Sequence, residues 1–285
     1  MTATALETPE VDLVYDVQGP LPTADGRPPL FVIGQPMTDE GFRAFASHFG
    51  DRTVVTHDPR SPGRSARRDG RTAADPETLA WDVHTIIEAL GAGPVEMFAG
   101  SGGAVAALAL VRSFPDDVTT LVVHEPPLIS VLPDADAAGR ARAAVKEAFE
   151  GGGFIAGLAA FTAMASWQGE FDDAYFAQPA ADPAAFGMPS GDDGVRDGLL
   201  SDAAWPVTGY APDFQALIAA PTRMVIGVGE EAGDALTGRS ARATAALLGQ
   251  EVMVFPRYRG GFAGPGTGDS GEPEEFAAKL REVLN

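Results

Sequence analysis

The stretch Val95-Glu96-Met97-Phe98-Ala99-Gly100-Ser101-Gly102-Gly103-Ala104 decides how this chain is read. A short apolar run, Val95–Phe98, stops at the small residues around Ser101, and an apolar helical pattern over Ala104–Phe114 follows at once. A strand that turns directly into a helix brings the two backbones nearly into contact, and only small side chains fit such a turn. The serine then sits at a helix N-terminus, where backbone N–H groups face developing negative charge. A Walker phosphate loop is excluded, because no Gly-Lys-Ser/Thr follows. A dinucleotide loop would lie close to the first strand, whereas this turn comes after several.

On both sides of the turn, short apolar runs alternate with helical stretches, the mark of βαβ units and a mainly parallel, twisted sheet flanked by helices. Val11–Val17 and Leu30–Ile33 read as an opening hairpin or pair of strands, Phe42–Phe49 as a helix and Thr53–Thr56 as a strand. Pro76–Leu90 is a helix stopped by Gly91 and Gly93. After the serine turn come the strand Leu121–Val123 and, much later, the strand Met224–Val228, the helix Ala241–Leu248, the strand Val252–Phe255 and the helix Pro273–Leu284. Between about 128 and 213 no convincing strand is visible, while Arg140–Glu150 and Phe154–Trp167 look helical. The expectation is one α/β domain, with its core in 1–127 and 214–285 and a helical lid over about 128–213. The lid's Phe161, Met164 and Trp167 are candidates to line a substrate pocket.

Composition bounds the function. The 285 residues are 45% hydrophobic, enough for one sizeable core. A formal charge of -20 repels phosphate backbones and anionic lipid, so neither nucleic acid nor membrane is expected as a partner. With no cysteine, disulfides, zinc–thiolate sites and a thiol nucleophile are excluded. Met1–Glu10 is polar and acidic, unlike a signal peptide. The longest nearly apolar run, Phe154–Trp167, is shorter than the roughly 20 residues of a membrane span. A cytoplasmic protein acting on a small molecule is the expectation; a homodimer stays open. The acidic pairs Asp172-Asp173 and Asp192-Asp193 lack a histidine or ordered spacing, so neither a metal nor another cofactor is expected.

Ala99-Gly100-Ser101-Gly102-Gly103 is similar to the G-x-S-x-G nucleophile elbow of the α/β-hydrolase superfamily, with Ala99 in place of the first glycine. The segment Phe98–Pro127, Gly34-Gln35-Pro36-Met37 and Asp51–Arg60 together resemble a group of bacterial proteins of that superfamily. The resemblance implies the α/β-hydrolase fold, with Ser101 as the nucleophile. It places the oxyanion donors at the backbone N–H groups of Gln35 and Gly102, although Ile33-Gly34 replaces the usual His-Gly. The supporting acid is Glu125 or Glu230, since superfamily members such as haloalkane dehalogenases carry it at the earlier position. His124 and Glu125 are neighbours on a strand and point to opposite faces, so at most one reaches the site.

The departure lies in the base. In the group this chain resembles, the loop after the last strand reads roughly Phe-Pro-x-His-His-Gly-Gly-Phe. Here it reads Phe255-Pro256-Arg257-Tyr258-Arg259-Gly260-Gly261-Phe262, and Arg259 stands where the resemblance puts the catalytic histidine. Arginine, with a pKa above ~12, cannot act as a base, and Tyr258 would need a pKa far below its ordinary ~10. Removing the histidine of a serine triad costs on the order of a million-fold in kcat. Among the other histidines, His48 and His84 read as solvated or structural, His124 as structural, and His57 as the remaining candidate at the pocket edge. Three functions follow: a diverged cyclase, lyase or isomerase acting on a carbonyl metabolite of specialised metabolism; an ester or lactone hydrolase with a rewired base; or a ligand-binding protein without turnover.

Overall fold

The computed structural model describes every residue except 1, 36, 61–62, 72, 74, 190–199, 201–204 and 265–270. Nine strands are described, in one sheet: β1 (Thr2–Glu7), β2 (Val11–Gln18), β3 (Leu30–Gln35), β4 (Val54–Asp58), β5 (Ala66–Arg67), β6 (Val95–Ser101), β7 (Val118–His124), β8 (Arg223–Gly229) and β9 (Met253–Phe255). Their order is β1-β2-β4-β3-β6-β7-β8-β9, with β5 paired to β2. Pairing is antiparallel for β1–β2, β2–β4 and β2–β5, and parallel from β4 through β9.

One strand was not foreseen, and the hairpin alternative for the opening strands does not hold. The polar N-terminus contains a strand: β1 forms a hairpin with β2, whereas the predicted strands Val11–Val17 and Leu30–Ile33 do not pair with each other. Thr-Ala-Thr-Ala-Leu-Glu has too few apolar side chains to announce an edge strand that is exposed along most of its length.

Alternation along the strands sorts the core into two layers. On β3, Phe31 and Ile33 face one side, where α2 (Pro76–Leu90), α3 (Gly102–Ser113) and α8 (Leu236–Leu247) pack. Leu30 and Val32 face the other, against the phenylalanines of α1 (Asp39–Ser47) and α9 (Pro273–Leu284). Helix α2 has the ends its sequence announces: Asp75 accepts from the Thr78 N–H at 2.7 Å, Pro76 begins the first turn, and Gly91 closes it at φ 61°.

The segment from 128 to 213 contains no strand among its described residues. It holds short 3-10 turns at Ile129–Val131 and Pro183–Phe186 and the helices α4 (Ala135–Ser166), α5 (Asp173–Phe176) and α6 (Trp205–Thr208), with α7 (Phe214–Ala219) just after it. Helix α4 is long and apolar enough to cross a membrane by length and composition. It nevertheless breaks at Gly153 (φ 79°), and its apolar residues pack with Leu132, Phe171 and Leu236.

The chain passes from β3 to β4 on one side and returns to β6 on the other, so a topological switch lies between β3 and β6. Crevices at the carboxyl ends of such strands are where open α/β sheets bind ligands.

His124, at the end of β7, is fully buried among Phe98, Phe255, Phe262 and Phe276, and neither ring nitrogen has a partner. Burial pushes its pKa down to about 3, and that of the buried His57 down to about 4. Both are neutral in the folded chain and take up protons more readily when it unfolds, so each contributes stability that is intact above the ordinary pKa of about 6.5 and lost below it. Urea unfolding at pH 7 and pH 5 is expected to show the loss, with His124→Leu removing about 2 kcal/mol of it. An unchanged pH dependence in that variant would contradict this burial.

Candidate active site

The carboxyl ends of β3 and β6 meet at the register pair Gln35–Ser101. Ser101 has φ 52° and ψ −126°, a conformation that non-glycine residues avoid, and it directly precedes the first turn of α3 without a side-chain cap. The neighbouring glycines explain the turn. A methyl on Gly103 would sit 2.7 Å from the Gly34 Cα, and one on Gly102 would sit 3.0 Å from the Gln35 carbonyl oxygen. Ala99 occupies the place of the motif's first glycine, and its methyl is buried in the core. Among the described non-glycine residues only Ser101, Glu125 and Arg257 have positive φ, and they stand at or just after the ends of β6, β7 and β9.

Above these strand ends lies a pocket with about 850 Å³ of empty space, counting the part open to solvent. Ser101, Gly102, Gln35 and Arg259 line its floor and side, while Phe161 and Met164 of α4 contribute apolar wall. The Gln35 side-chain oxygen is buried with no hydrogen-bond partner.

Arg259 reaches the pocket because the residues around it are fixed. Phe255 and Phe262 are buried in the aromatic layer, with Phe262 stacked on Phe42 at 5.2 Å between centroids. A methyl on Gly261 would meet the Pro256 carbonyl oxygen at 2.5 Å. The two glycines and two phenylalanines thus close a tight loop with Arg257, Tyr258 and Arg259 at its tip. Arg257 (φ 67°) turns outward to Glu231 at 3.1 Å and Glu272 at 3.0 Å. Arg259 has no carboxylate within ion-pairing distance among the described residues.

The candidate acids separate. Glu125 is buried; its carboxylate accepts from the Gly229 N–H at 2.9 Å and from the Thr237 hydroxyl at 2.5 Å. Burial pushes its pKa up against those hydrogen bonds and the nearby Arg259. Thr237 lines the pocket and Glu125 stands one hydroxyl behind it. Glu230 is exposed and accepts the Arg257 backbone N–H at 3.1 Å, which makes it a loop cap outside the pocket. His124 packs into the phenylalanine layer, whereas Glu125, one residue beyond β7 at φ 46°, reaches β8 and α8.

None of the four histidines is hydrogen-bonded to Ser101. His48 caps α1, and His84 pairs with Asp117 at 2.8 Å and stacks on Phe114. His124 is enclosed by phenylalanines. His57 is buried edge-on to Phe31 and is not part of the pocket wall, contrary to its expected place. Trp167 also misses the wall; its indole N–H donates to the Glu170 carbonyl and its ring meets Tyr175. Tyr258 sits at the loop tip and is not among the lining residues. Pro36 and Asp192-Asp193 lie outside the described residues, and no group of metal-ligating side chains occurs among the described ones.

Sequence reasoning missed Arg142, Thr208, Trp205 and Thr237, all of which line the pocket. Their residue types carry no motif; only the packing of α4, α6 and α8 brings them together.

No protein-family model matches the sequence. The hydrolase YraK of Bacillus subtilis, itself uncharacterised, is 30% identical over 128 residues, 45% of this chain and 45% of that protein's length. An esterase from Thermogutta terrifontis, solved with malate bound, superimposes with a TM-score of 0.64 at 21% identity, covering 100% of this chain and 98% of that one. An alpha/beta hydrolase from Sphaerobacter thermophilus gives 0.61 at 18% identity, covering 99% and 100%. With its switch-point crevice and strained strand-to-helix serine turn, this chain is a protein of the α/β-hydrolase fold.

Proposed function

We propose that the chain is an enzyme acting on a small carbonyl compound by a step that needs no acyl-serine, such as isomerisation, elimination or cyclisation. The observation that carries this reading is Arg259, which lines one pocket with Ser101, Gln35 and Gly102 while none of the four histidines lines it.

In this reading the substrate carbonyl oxygen is held by the backbone N–H groups of Gly102 and Gln35. The N-terminus of α3 and the permanently charged Arg259 stabilise the negative charge that grows there as an enolate forms. With no base to take its proton, Ser101 keeps its hydroxyl and donates a hydrogen bond to the same oxygen. The proton leaving the carbon next to the carbonyl passes to the Thr237 oxygen as the Thr237 proton passes to Glu125. The raised pKa of Glu125 suits it to accept a proton nearer neutrality than an ordinary carboxylate.

Ester or lactone hydrolysis is the second reading, supported by the likeness of the fold to an esterase and a hydrolase. It would require Glu125 and Thr237 to activate water.

Two experiments separate these. A fluorophosphonate probe is expected to leave Ser101 unlabelled, and p-nitrophenyl butyrate to be cleaved no faster than by Ser101→Ala. Labelling together with Ser101-dependent ester cleavage would overturn the first reading. In heavy water, proton NMR is expected to show exchange at the methylene beside the ketone of benzylpyruvate. Arg259→Ala should slow it about 10²–10³-fold and Glu125→Gln should abolish it. Because Glu125 acts ionised, the exchange rate should fall as pH drops through its raised pKa. Phe262→Ala, which removes the anchor of the loop, is expected to cost about 3–5 kcal/mol of stability in urea unfolding and to mimic Arg259→Ala in exchange.

A further inference from the structure

Arg142 is the least expected residue of the pocket wall. It projects from α4, the long helix over the sheet, and is half-buried. Its Nη1 donates to the Trp205 carbonyl at 3.0 Å and the Thr208 hydroxyl at 2.9 Å. Its guanidinium carbon lies 5.9 Å from the centroid of the Trp205 ring. These contacts fix the plane of the guanidinium. Nε and Nη2, the side-on pair that fits the two oxygens of a carboxylate, have no hydrogen-bond partner among the described residues.

Burial alone holds its pKa below the usual guanidinium value, with no carboxylate raising it again. Other buried arginines of this chain are treated differently: Arg52 is paired with Glu96, Arg60 with Asp82 and Arg239 with Asp134. The chain has 40 acidic and 20 basic residues, so carboxylates are abundant. Removing a guanidinium from water is costly unless an anion compensates. At half-buried Arg142 the protein supplies none from its described residues; Arg259, the other guanidinium of the pocket wall, is exposed and lies near Glu125. Between them the pocket is walled by apolar side chains such as Ile129, Phe161, Met164 and Leu236. The unpartnered Gln35 oxygen in the same wall is another polar atom left for a ligand.

We infer that the pocket takes a carboxylate-bearing carbonyl compound with an apolar body, and that Arg142 clamps the carboxylate while the carbonyl lies at Ser101. The inference rests on the reading of the pocket as a carbonyl site and names its substrate class. Arg142 is then a specificity-determining residue: it anchors the end of the substrate that does not react. A planar carboxylate fits one fork of two N–H donors. A phosphate ester, more strongly hydrated, is less suited to apolar walls, and it is a separate arm of the test.

Binding to the full-length chain is measured by isothermal titration calorimetry, using phenylpyruvate and benzylpyruvate, their methyl esters as neutral counterparts, and phenethyl phosphate. The acids are expected to bind at least about tenfold tighter than their esters. Arg142→Gln should bring acid and ester to within about threefold of each other, and Arg142→Lys, which keeps the charge but loses the fork, should fall between. If neither acid binds tighter than its ester in the wild type, a result that depends on no variant, the inference is overturned. Full discrimination retained in Arg142→Gln, or phosphate bound tighter than both acids, also overturns it. The two proposals fail separately. Discrimination without proton exchange at the ketone leaves the carboxylate clamp standing and removes the proposed reaction. Equal exchange of acid and ester, unaffected by Arg142→Gln, does the reverse.

Discussion

The close approach of α3 to β3 at Gly103 and Gly34 is the constraint on which the rest of the site depends. A single methyl on Gly103 would lie 2.7 Å from the Gly34 Cα, nearer than any non-bonded carbon pair tolerates. That contact lets the chain reverse within one residue of the end of β6, and the reversal is what holds Ser101 at φ 52°. The strain costs on the order of 1–3 kcal/mol. It persists because the surrounding strands, buried on both faces, leave β6 no freedom to relax. Its product is a hydroxyl standing above the sheet beside an uncapped helix N-terminus. The same contact brings the end of β3, and with it Gln35, to the opposite side of the turn.

A second constraint operates from the aromatic layer beneath the sheet. Phe98, Phe255, Phe262 and Phe276 surround His124 and hold both ends of the loop after β9. A tight loop anchored this way delivers whatever side chain occupies its tip to one place, regardless of chemistry. This is why an arginine can stand at the pocket without disturbing the fold. The frame residues, Phe255, Gly260, Gly261 and Phe262, do structural work, and the tip residues set the chemistry. The pairs at and just after the end of β4 have a similar structural part: Asp58 accepts from the Asp39 N–H and from the exposed Arg64, and the buried Arg60 is paired with Asp82. They explain the Asp-Pro-Arg segment without reference to the pocket.

The electrostatics of the pocket run against those of the molecule. The chain carries a formal charge of -20, yet the two guanidinium groups at this pocket have no carboxylate partner among the described residues. A buried neutral histidine elsewhere is an accommodation to packing. A half-buried arginine held by a carbonyl, a hydroxyl and an indole face is different: its remaining donors are oriented and left open, and it retains its charge at any physiological pH. The pocket therefore offers an anion two open donors of Arg142 within a chain that is acidic as a whole.

Much of this was legible in the sequence. The turn at Ser101, the alternation of strands and helices, the helices Pro76–Leu90 and Pro273–Leu284, and the strand-free stretch after β7 all follow from periodicity, caps and small residues, which are local properties. What the sequence could not supply was which polar side chains share the pocket. Glu125 had only a slight claim over Glu230, and the packing of α8 sets Thr237 against the first while the second caps a loop. His57 and Trp167 looked like pocket residues and are turned elsewhere, whereas Arg142, unremarked in an alanine-rich helix, lines the wall. The sequence alone determined the fold and the strained serine, because these depend on backbone geometry and on space around a few small residues. The tertiary structure alone decided the company that serine keeps, because helix rotation and loop closure depend on contacts between residues far apart in sequence, from 63 positions for Arg142 and Trp205 to 112 for Thr237 and Glu125.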